Sequence, residues 1–219
     1  MLRVNEIYIS IQGESTFAGF PCVLIRLAGC NLNCCYCDTR YAKDSYFEKS
    51  VEDLVSMVCR FGRRIVEITG GEPLIQNETP LLVSSLLDKG FLVLVETNGS
   101  LDITRLDPRA HRIVDIKCPG SGESQRNRWE NLYVLSENDQ LKFVIQNRED
   151  YEFAKLILHK YKNILHPDMP IHFSPVMDNL EPRILAQWIL KDNLFVRLNL
   201  QLHKVIWPKG EPKKTYQKW

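Results

Sequence analysis

Residues 23–37 read VLIRLAGCNLNCCYC, an apolar, β-branched run that passes directly into a loop carrying four of the chain's seven cysteines. The run has the composition of a strand. Thiols packed into so short a loop, in a chain with an odd cysteine total, point to a metal or cluster rather than to a disulfide framework. A strand that delivers ligands from its carboxyl end is the plan of α/β folds, where chemistry collects at that end.

The same alternation spreads outward from this stretch. EIYISI (6–11) precedes it; IVEIT (65–69), FLVLVE (91–96), RIVDIK (112–117), LKFVI (141–145), MPIHFSP (169–175) and FVRLNLQLH (195–203) follow, each with the apolar content of a strand. Helices are predicted between strands at 51–61, 79–89, 148–161 and 182–190. Ser50 stands as N-cap before the first, in which Val51, Leu54, Val55 and Val58 recur at helical spacing and Asp53 is placed to reciprocate the cap. Thr79 and Pro80 open the second and Gly90 closes it. The pattern predicts one α/β domain over 1–219: a mostly parallel sheet curled into an incomplete, partial TIM-like β/α barrel, with the cysteine loop at 30–37. PGSGESQRN (119–127) is the most loop-like segment and is expected to be mobile.

Composition narrows the partners. Lys plus Arg number 28 against 27 Asp plus Glu, a net charge of +1, so apart from a modestly basic stretch at 204–218 nothing favours a polyanion such as nucleic acid. The longest apolar runs are strand-sized, and the start MLRVNEIYIS has no signal-peptide pattern. The expectation is a soluble, cytoplasmic protein with no membrane partner.

Within the loop, Cys30, Cys34 and Cys37 form C-x3-C-x2-C. Three thiolates are one short of a structural zinc site, whereas an iron–sulfur cluster held by three leaves one iron open to a small ligand. Cys35, adjacent to Cys34, is expected to point elsewhere and to serve packing; zinc completed by Cys35 or a distant His or Cys stays open on spacing alone. GGEP (70–73) ends a strand, and glycines there let backbone approach a ligand that a Cβ would exclude. ETNGS (96–100) reads equally as an Asn-Gly turn or as polar groups meeting a ribose.

The three-cysteine spacing, with aromatic Tyr36 before the last thiol and GGEP one strand–helix unit later, resembles the radical S-adenosylmethionine (SAM) superfamily. The resemblance implies a 4Fe-4S cluster on Cys30, Cys34 and Cys37, whose open iron binds SAM for reductive cleavage to a 5'-deoxyadenosyl radical. It further implies SAM contacts from Gly71, from Asp115, Ile116 and Lys117 in DIK, and from Ser174 in FSPVM.

The fuller arrangement, SIQGES (10–15), Arg26, DTRYA (38–42), DIKCPGSGE, LKFVI and QLHK, is similar to the branch of that superfamily whose substrate is 6-carboxy-5,6,7,8-tetrahydropterin. By that resemblance Gln12, Gly13 and Glu14 meet the pterin edge, Arg26 takes its carboxylate in a bidentate contact, Thr69 adds a polar contact, and Thr39 ligates Mg2+ that templates the substrate. The implied reaction abstracts hydrogen from C6, contracts the ring, returns hydrogen, regenerates SAM and eliminates ammonia to give 7-carboxy-7-deazaguanine, making the enzyme a lyase of queuosine biosynthesis. A flavodoxin-like or other electron donor and a homodimer complete the expectation, and the segment after QLHK is placed to help close over substrate. A glycyl-radical activase and a zinc-loop binding module are the rival readings; QGE with Arg26 speaks against the first.

Overall fold

The structure, a computed structural model, describes residues 1–207. Most of the basic C-terminal segment, including the part expected to close over substrate, lies outside the described residues. Nine strands form one open sheet: β1 (Leu2–Ile11), β2 (Pro21–Leu27), β3 (Phe47–Lys49), β4 (Ile65–Gly70), β5 (Leu92–Thr97), β6 (His111–Ile116), β7 (Gln140–Ile145), β8 (Ile171–Pro175) and β9 (Arg197–Leu198), in the order β3-β1-β2-β4-β5-β6-β7-β8-β9. From β2 to β9 every neighbour is parallel, while β1 pairs antiparallel with β2 and with β3. The sheet is therefore the expected incomplete, mostly parallel β/α barrel, with β3 and β9 at its free edges.

Local chemistry accounts for the helices. Helix α1 (Val51–Phe61) starts where Ser50 Oγ accepts a hydrogen bond from Asp53 N at 3.0 Å and stops at Gly62, whose φ of 61° a side chain would disfavour. Its stripe of Val51, Leu54, Val55 and Val58 is buried. Helix α2 (Thr79–Asp88) carries Pro80 in its first turn, α3 (Arg148–Tyr161) is capped by Asn147 Oδ1 on Asp150 N, and α4 (Pro182–Lys191) also opens on proline. These helices bury the outer face of the sheet in one large apolar cluster.

The inner face is graded along the strands. Paired positions Cys22, Ile65 and Leu92 are apolar; the next inward level holds Leu24, Glu67 and Leu94; the level after that holds Arg26 and Thr69, with Glu96 on β5. Cys22, Ile65, Leu94 and Ile113 pack with Phe17 and Leu92 into a second, smaller core that plugs the amino-terminal end. Charge thus accumulates toward the carboxyl end, where the barrel opens.

Three expectations need correction. The first strand begins at Leu2, not Glu6, and short β3 joins it, because Leu2 and Val4 bury into the core and pair with Lys49 and Phe47. The crossovers from β5 to β6 and from β6 to β7, where no helix is predicted, are 3-10 turns, their chain interrupted by Pro108, Pro119, Gly120 and Gly122. Segment 119–127 is held in place: Gly120 N donates to Asp150 Oδ1 at 2.7 Å, Ser121 is buried, and Asn127 brackets Lys117 through Lys117 N to Oδ1 at 2.8 Å and Nδ2 to Lys117 O at 2.9 Å. Of 195–203 only Arg197 and Leu198 are strand; Asn199 Nδ2 then donates to Ser174 Oγ and Gln201 Nε2 to Glu14 Oε1, drawing the chain across the barrel mouth into the short helix α5 (Leu202–Ile206).

Beside the barrel, Asp139 is fully buried and accepts from Arg112 Nε at 2.8 Å and Nη2 at 2.6 Å, from Arg112 N, and from Ser136. Asp139→Ala strands the buried guanidinium, and a loss of about 3–5 kcal/mol is expected, read as a lower urea midpoint with unchanged slope.

Candidate active site

Backbone contact sets the cysteine loop over the strand ends. Glu72 N donates to Gly29 O at 2.9 Å and Gly71 N to Leu27 O at 3.3 Å. A Cβ at Gly71 would lie 2.1 Å from Gly29 O and 2.6 Å from Cys30 Cβ; one at Gly70, where φ is 149°, would lie 2.1 Å from Leu27 O. These glycines are required first by the approach of β4 to the cysteine loop, and not only by a ligand. Glu72, fully buried, accepts from Leu74 N at 3.0 Å, Asn98 N at 2.7 Å and Thr97 Oγ1 at 2.9 Å, which ties GGEP to ETNGS. Asn98 Nδ2 donates to Asn31 Oδ1 at 3.0 Å and lies 3.9 Å from Cys30 Sγ.

Cys30, Cys34 and Cys37 all border the cleft at the barrel mouth and none is in a disulfide. Cys30 Sγ also accepts from Leu32 N at 3.4 Å, and Cys37 Sγ lies 3.7 Å from Thr39 Oγ1, while burial pushes the Cys34 thiol up. Cys35 is exposed: its Sγ donates to Gly120 O at 2.8 Å and its N to Ser121 O at 3.1 Å, outside the cleft. It serves loop anchoring rather than core packing. A structural zinc needs four ligands gathered on one point, and Cys35, the adjacent fourth thiol, turns out of the cleft. Three reduced thiols around one opening, with the Leu32 amide on Cys30 Sγ and a fourth thiol turned out, fit a three-cysteine iron–sulfur cluster.

The rest of the mouth is charged. Lys142 Nζ contacts Glu14 Oε2 at 3.1 Å, Glu96 Oε1, and Asp115 Oδ2 at 3.9 Å. Lys117 Nζ donates to Asp115 Oδ2 at 2.8 Å. Burial would raise the Glu14 carboxyl, but Lys142 and His203 outweigh it and, with the Gln201 hydrogen bond, hold it at about 2. Asp115 Oδ1 is buried without a partner. Arg26 Nε donates to Glu6 Oε1 at 2.8 Å, and Tyr41 Oη donates to the same oxygen at 3.0 Å; the guanidinium, also hydrogen-bonded to Tyr8, borders the cleft.

The structure brings together Gln12, Gly13, Glu14, Arg26 and Thr69 on one side and the three cysteines, Thr39, Gly71, Asp115 and Lys117 on the other, all on the wall of a single cleft. Ile116 and Ser174 are not on that wall. The Ile116 side chain is buried in the outer core, and the Ser174 hydroxyl is bonded to Asn199. Glu67, Glu96, Lys142, Gln201 and His203 border the cleft and were not among the expected site residues. The signal for Glu67 and Lys142 was present: a charged residue in the middle of IVEIT and of LKFVI is out of place in a buried strand. His203 covers Gly13, whose Cβ would lie 2.5 Å from its Nδ1.

Gly71→Ala is expected to push the cysteine loop off β4, lowering iron and sulfide incorporation several-fold while far-ultraviolet circular dichroism stays native. Cys37→Ala is expected to abolish the brown chromophore and Cys35→Ala to leave it nearly intact; equal loss in both would refute the ligand assignment.

The model of the Radical SAM superfamily matches residues 24–116. A 7-carboxy-7-deazaguanine synthase of Chlorobaculum tepidum is 46% identical over 209 residues, covering 94% of each chain. One of Koribacter versatilis is 38% identical over 220 residues, covering 94% of this chain and 97% of its own. Among solved structures, QueE from Escherichia coli superposes with a TM-score of 0.72 at 28% identity, covering 91% of this chain and 93% of that one.

Proposed function

Because the chain belongs to the 7-carboxy-7-deazaguanine synthases of the radical SAM superfamily, we propose that its cleft converts 6-carboxy-5,6,7,8-tetrahydropterin to 7-carboxy-7-deazaguanine with loss of ammonia. The observation that carries this is the meeting, in one cleft, of the three-thiol loop with QGE, Arg26 and Thr69.

Cys30, Cys34 and Cys37 hold the 4Fe-4S cluster in this reading, and SAM lies beside Gly71, Asp115 and Lys117. Cluster and SAM, when bound, supply the 5'-deoxyadenosyl radical. Asp115 Oδ1, buried and unpartnered, offers an acceptor to a ligand N–H or O–H, while Lys117 neutralises the same carboxylate from its other oxygen. The outward carbonyls of Cys34 and Cys35 are tied by Arg40 Nη2 at 3.3 and 2.7 Å, which fixes the loop in the shape three-point ligation needs.

On the substrate side, Arg26 is permanently charged, largely buried and held by Glu6 at its Nε and by the Tyr8 hydroxyl, and in this reading its guanidinium takes the pterin carboxylate in a bidentate contact. Gln12 is oriented by its own loop, its Oε1 accepting from Glu14 N at 2.7 Å, which leaves the Gln12 amide NH2 for a heterocycle edge. Glu14 stays ionised at neutral pH, an acceptor for ring N–H groups. Thr69 is the register partner of Arg26 on the neighbouring strand. Thr39, beside Cys37, is the hydroxyl assigned to Mg2+, a hard ion that takes oxygen ligands and keeps waters; this rests on the resemblance. Exclusion of water falls to Gln201 and His203, which close over Glu14 and Gly13.

The outer surface of the cysteine loop, Asn33, Cys35, Asp38 and Arg40, is exposed, which supports delivery of electrons by a docked flavodoxin-like or other small carrier. Homodimerisation and a cytoplasmic setting are carried over from the resemblance; among the described residues no helix is long and apolar enough to cross a membrane.

Anaerobic reconstituted protein supplied with dithionite, SAM, Mg2+ and the carboxylated pterin is expected to form the deazaguanine, followed by mass. Uncoupled 5'-deoxyadenosine without product would retain the radical chemistry and discard the substrate. In the same assay Arg26→Ala is expected to lose turnover by roughly 10²-fold, the scale of a buried charge-assisted contact of about 3 kcal/mol, while still cleaving SAM; unchanged turnover would remove Arg26 from the substrate site.

A further inference from the structure

Resting on that reaction, we infer that Glu67 is a further catalytic residue, the proton donor to the nitrogen that leaves as ammonia. Glu67 lies on the inner face of β4, two residues before Thr69 and therefore directly beneath it, at the floor of the cleft. Its level partners on the flanking strands are Leu24 and Leu94, both apolar. Glu67 is 6% exposed, and among the described residues no hydrogen bond or ion pair engages its carboxyl. A carboxyl nearly removed from water, with no local partner and facing the space where substrate sits, has the placement of a reacting group.

The charges around it decide its protonation. Glu14, Glu96 and Asp115 already share Lys142; Asp115 also takes Lys117, and Arg26 is matched by Glu6. The remaining group facing Glu67 is the Cys22 thiol beneath it, itself pushed up by burial. The cations that act on Glu67, Arg26 and Lys142, are already engaged by Glu6 and by three other carboxylates, so Glu67 keeps its proton. Burial first, then the Glu96 carboxylate, raise its pKa to about 8, with Arg26 and Lys142 too committed to reverse the shift. The carboxyl is therefore an acid at neutral pH, with a pKa close to the working range that favours proton transfer.

Loss of ammonia needs such a group. After ring contraction the bond between a ring carbon and its amino nitrogen breaks with its electron pair going to nitrogen, which takes the Glu67 proton and leaves as ammonia. The electron pair of the adjoining C–H bond forms the new ring double bond, and the proton released there returns to the Glu67 carboxylate. Protons balance and no oxidant or reductant enters this step.

The test compares wild-type and Glu67→Gln holoenzymes on pterin deuterated at C6. Glu67→Gln is expected to release deazaguanine and ammonia roughly 10²-fold more slowly or worse. It should still transfer deuterium into 5'-deoxyadenosine, and it should accumulate a species with the mass of substrate. Glu67→Asp should recover part of the rate. Wild-type product release should fall as pH rises through about 8, where the acid form is lost; the variant should lack that limb. Infrared difference spectra of the cluster-free protein provide a readout independent of turnover: a protonated carboxyl band that vanishes as pH rises through about 8 in the wild type and is missing in Glu67→Gln. Normal product release by Glu67→Gln, or loss of deuterium transfer together with product, overturns the role of Glu67 alone. A wild-type enzyme that forms no deazaguanine overturns the assigned reaction and this role with it.

Discussion

Glu72 is the constraint on which the site depends. One fully buried carboxylate gathers the amides of Leu74 and Asn98 and the hydroxyl of Thr97, while its own amide is bonded to Gly29. The ends of β2, β4 and β5 are thereby locked to one another. Buried carboxylates survive only when their lone pairs are taken up, and here two of the three donors, Thr97 and Asn98, lie where the end of β5 borders the cleft. The absence of Cβ atoms at Gly70 and Gly71 then lets the cysteine loop lie flat on β4. Rigid placement of three thiols follows from these contacts and not from any property of the thiols themselves.

The barrel interior shows how one architecture serves both stability and chemistry. At the amino-terminal end of the strands Cys22, Ile65, Leu94 and Ile113 exclude water as an ordinary core does. Toward the other end the inward positions turn to Arg26, Glu67, Thr69, Glu96, Asp115 and Lys142. These charges are tolerable because most are paired: Lys142 offsets three carboxylates, Glu6 offsets Arg26, and Lys117 offsets Asp115. Such a network favours fixed geometry over net stabilisation. Glu67 departs from that pattern, and its departure is what gives it an assignable chemical task.

Much of this was legible in one dimension. Ser50 before VEDLVSMVCRF predicted both the start and the buried face of α1, because capping and helical periodicity act over a few residues. The alternation of strands and helices predicted an open parallel barrel, and C-x3-C-x2-C separated Cys35 from the three thiols that border the cleft. Where prediction failed, the deciding partners were remote. FVRLNLQLH alternates like a strand, yet Asn199 and Gln201 bond to Ser174 and Glu14, and those contacts turn the chain across the mouth. PGSGESQRN has the composition of a free loop, yet Asp150 on α3 and the backbone of Lys117 pin it.

Sequence by itself therefore determined the class of fold, the four helices and most of the parallel strands, and it singled out the three thiols that border the cleft, since each depends on spacing along the chain and on side-chain type. Tertiary structure alone decided that Gly71 is needed by the backbone of Gly29, that Arg26 presents only part of its guanidinium, and that Glu67 lies without a counter-charge beneath Thr69. These are electrostatic and steric facts about atoms brought close by the curl of the sheet. The chain's order carries no direct record of them, because residues on neighbouring strands become neighbours only when the barrel forms.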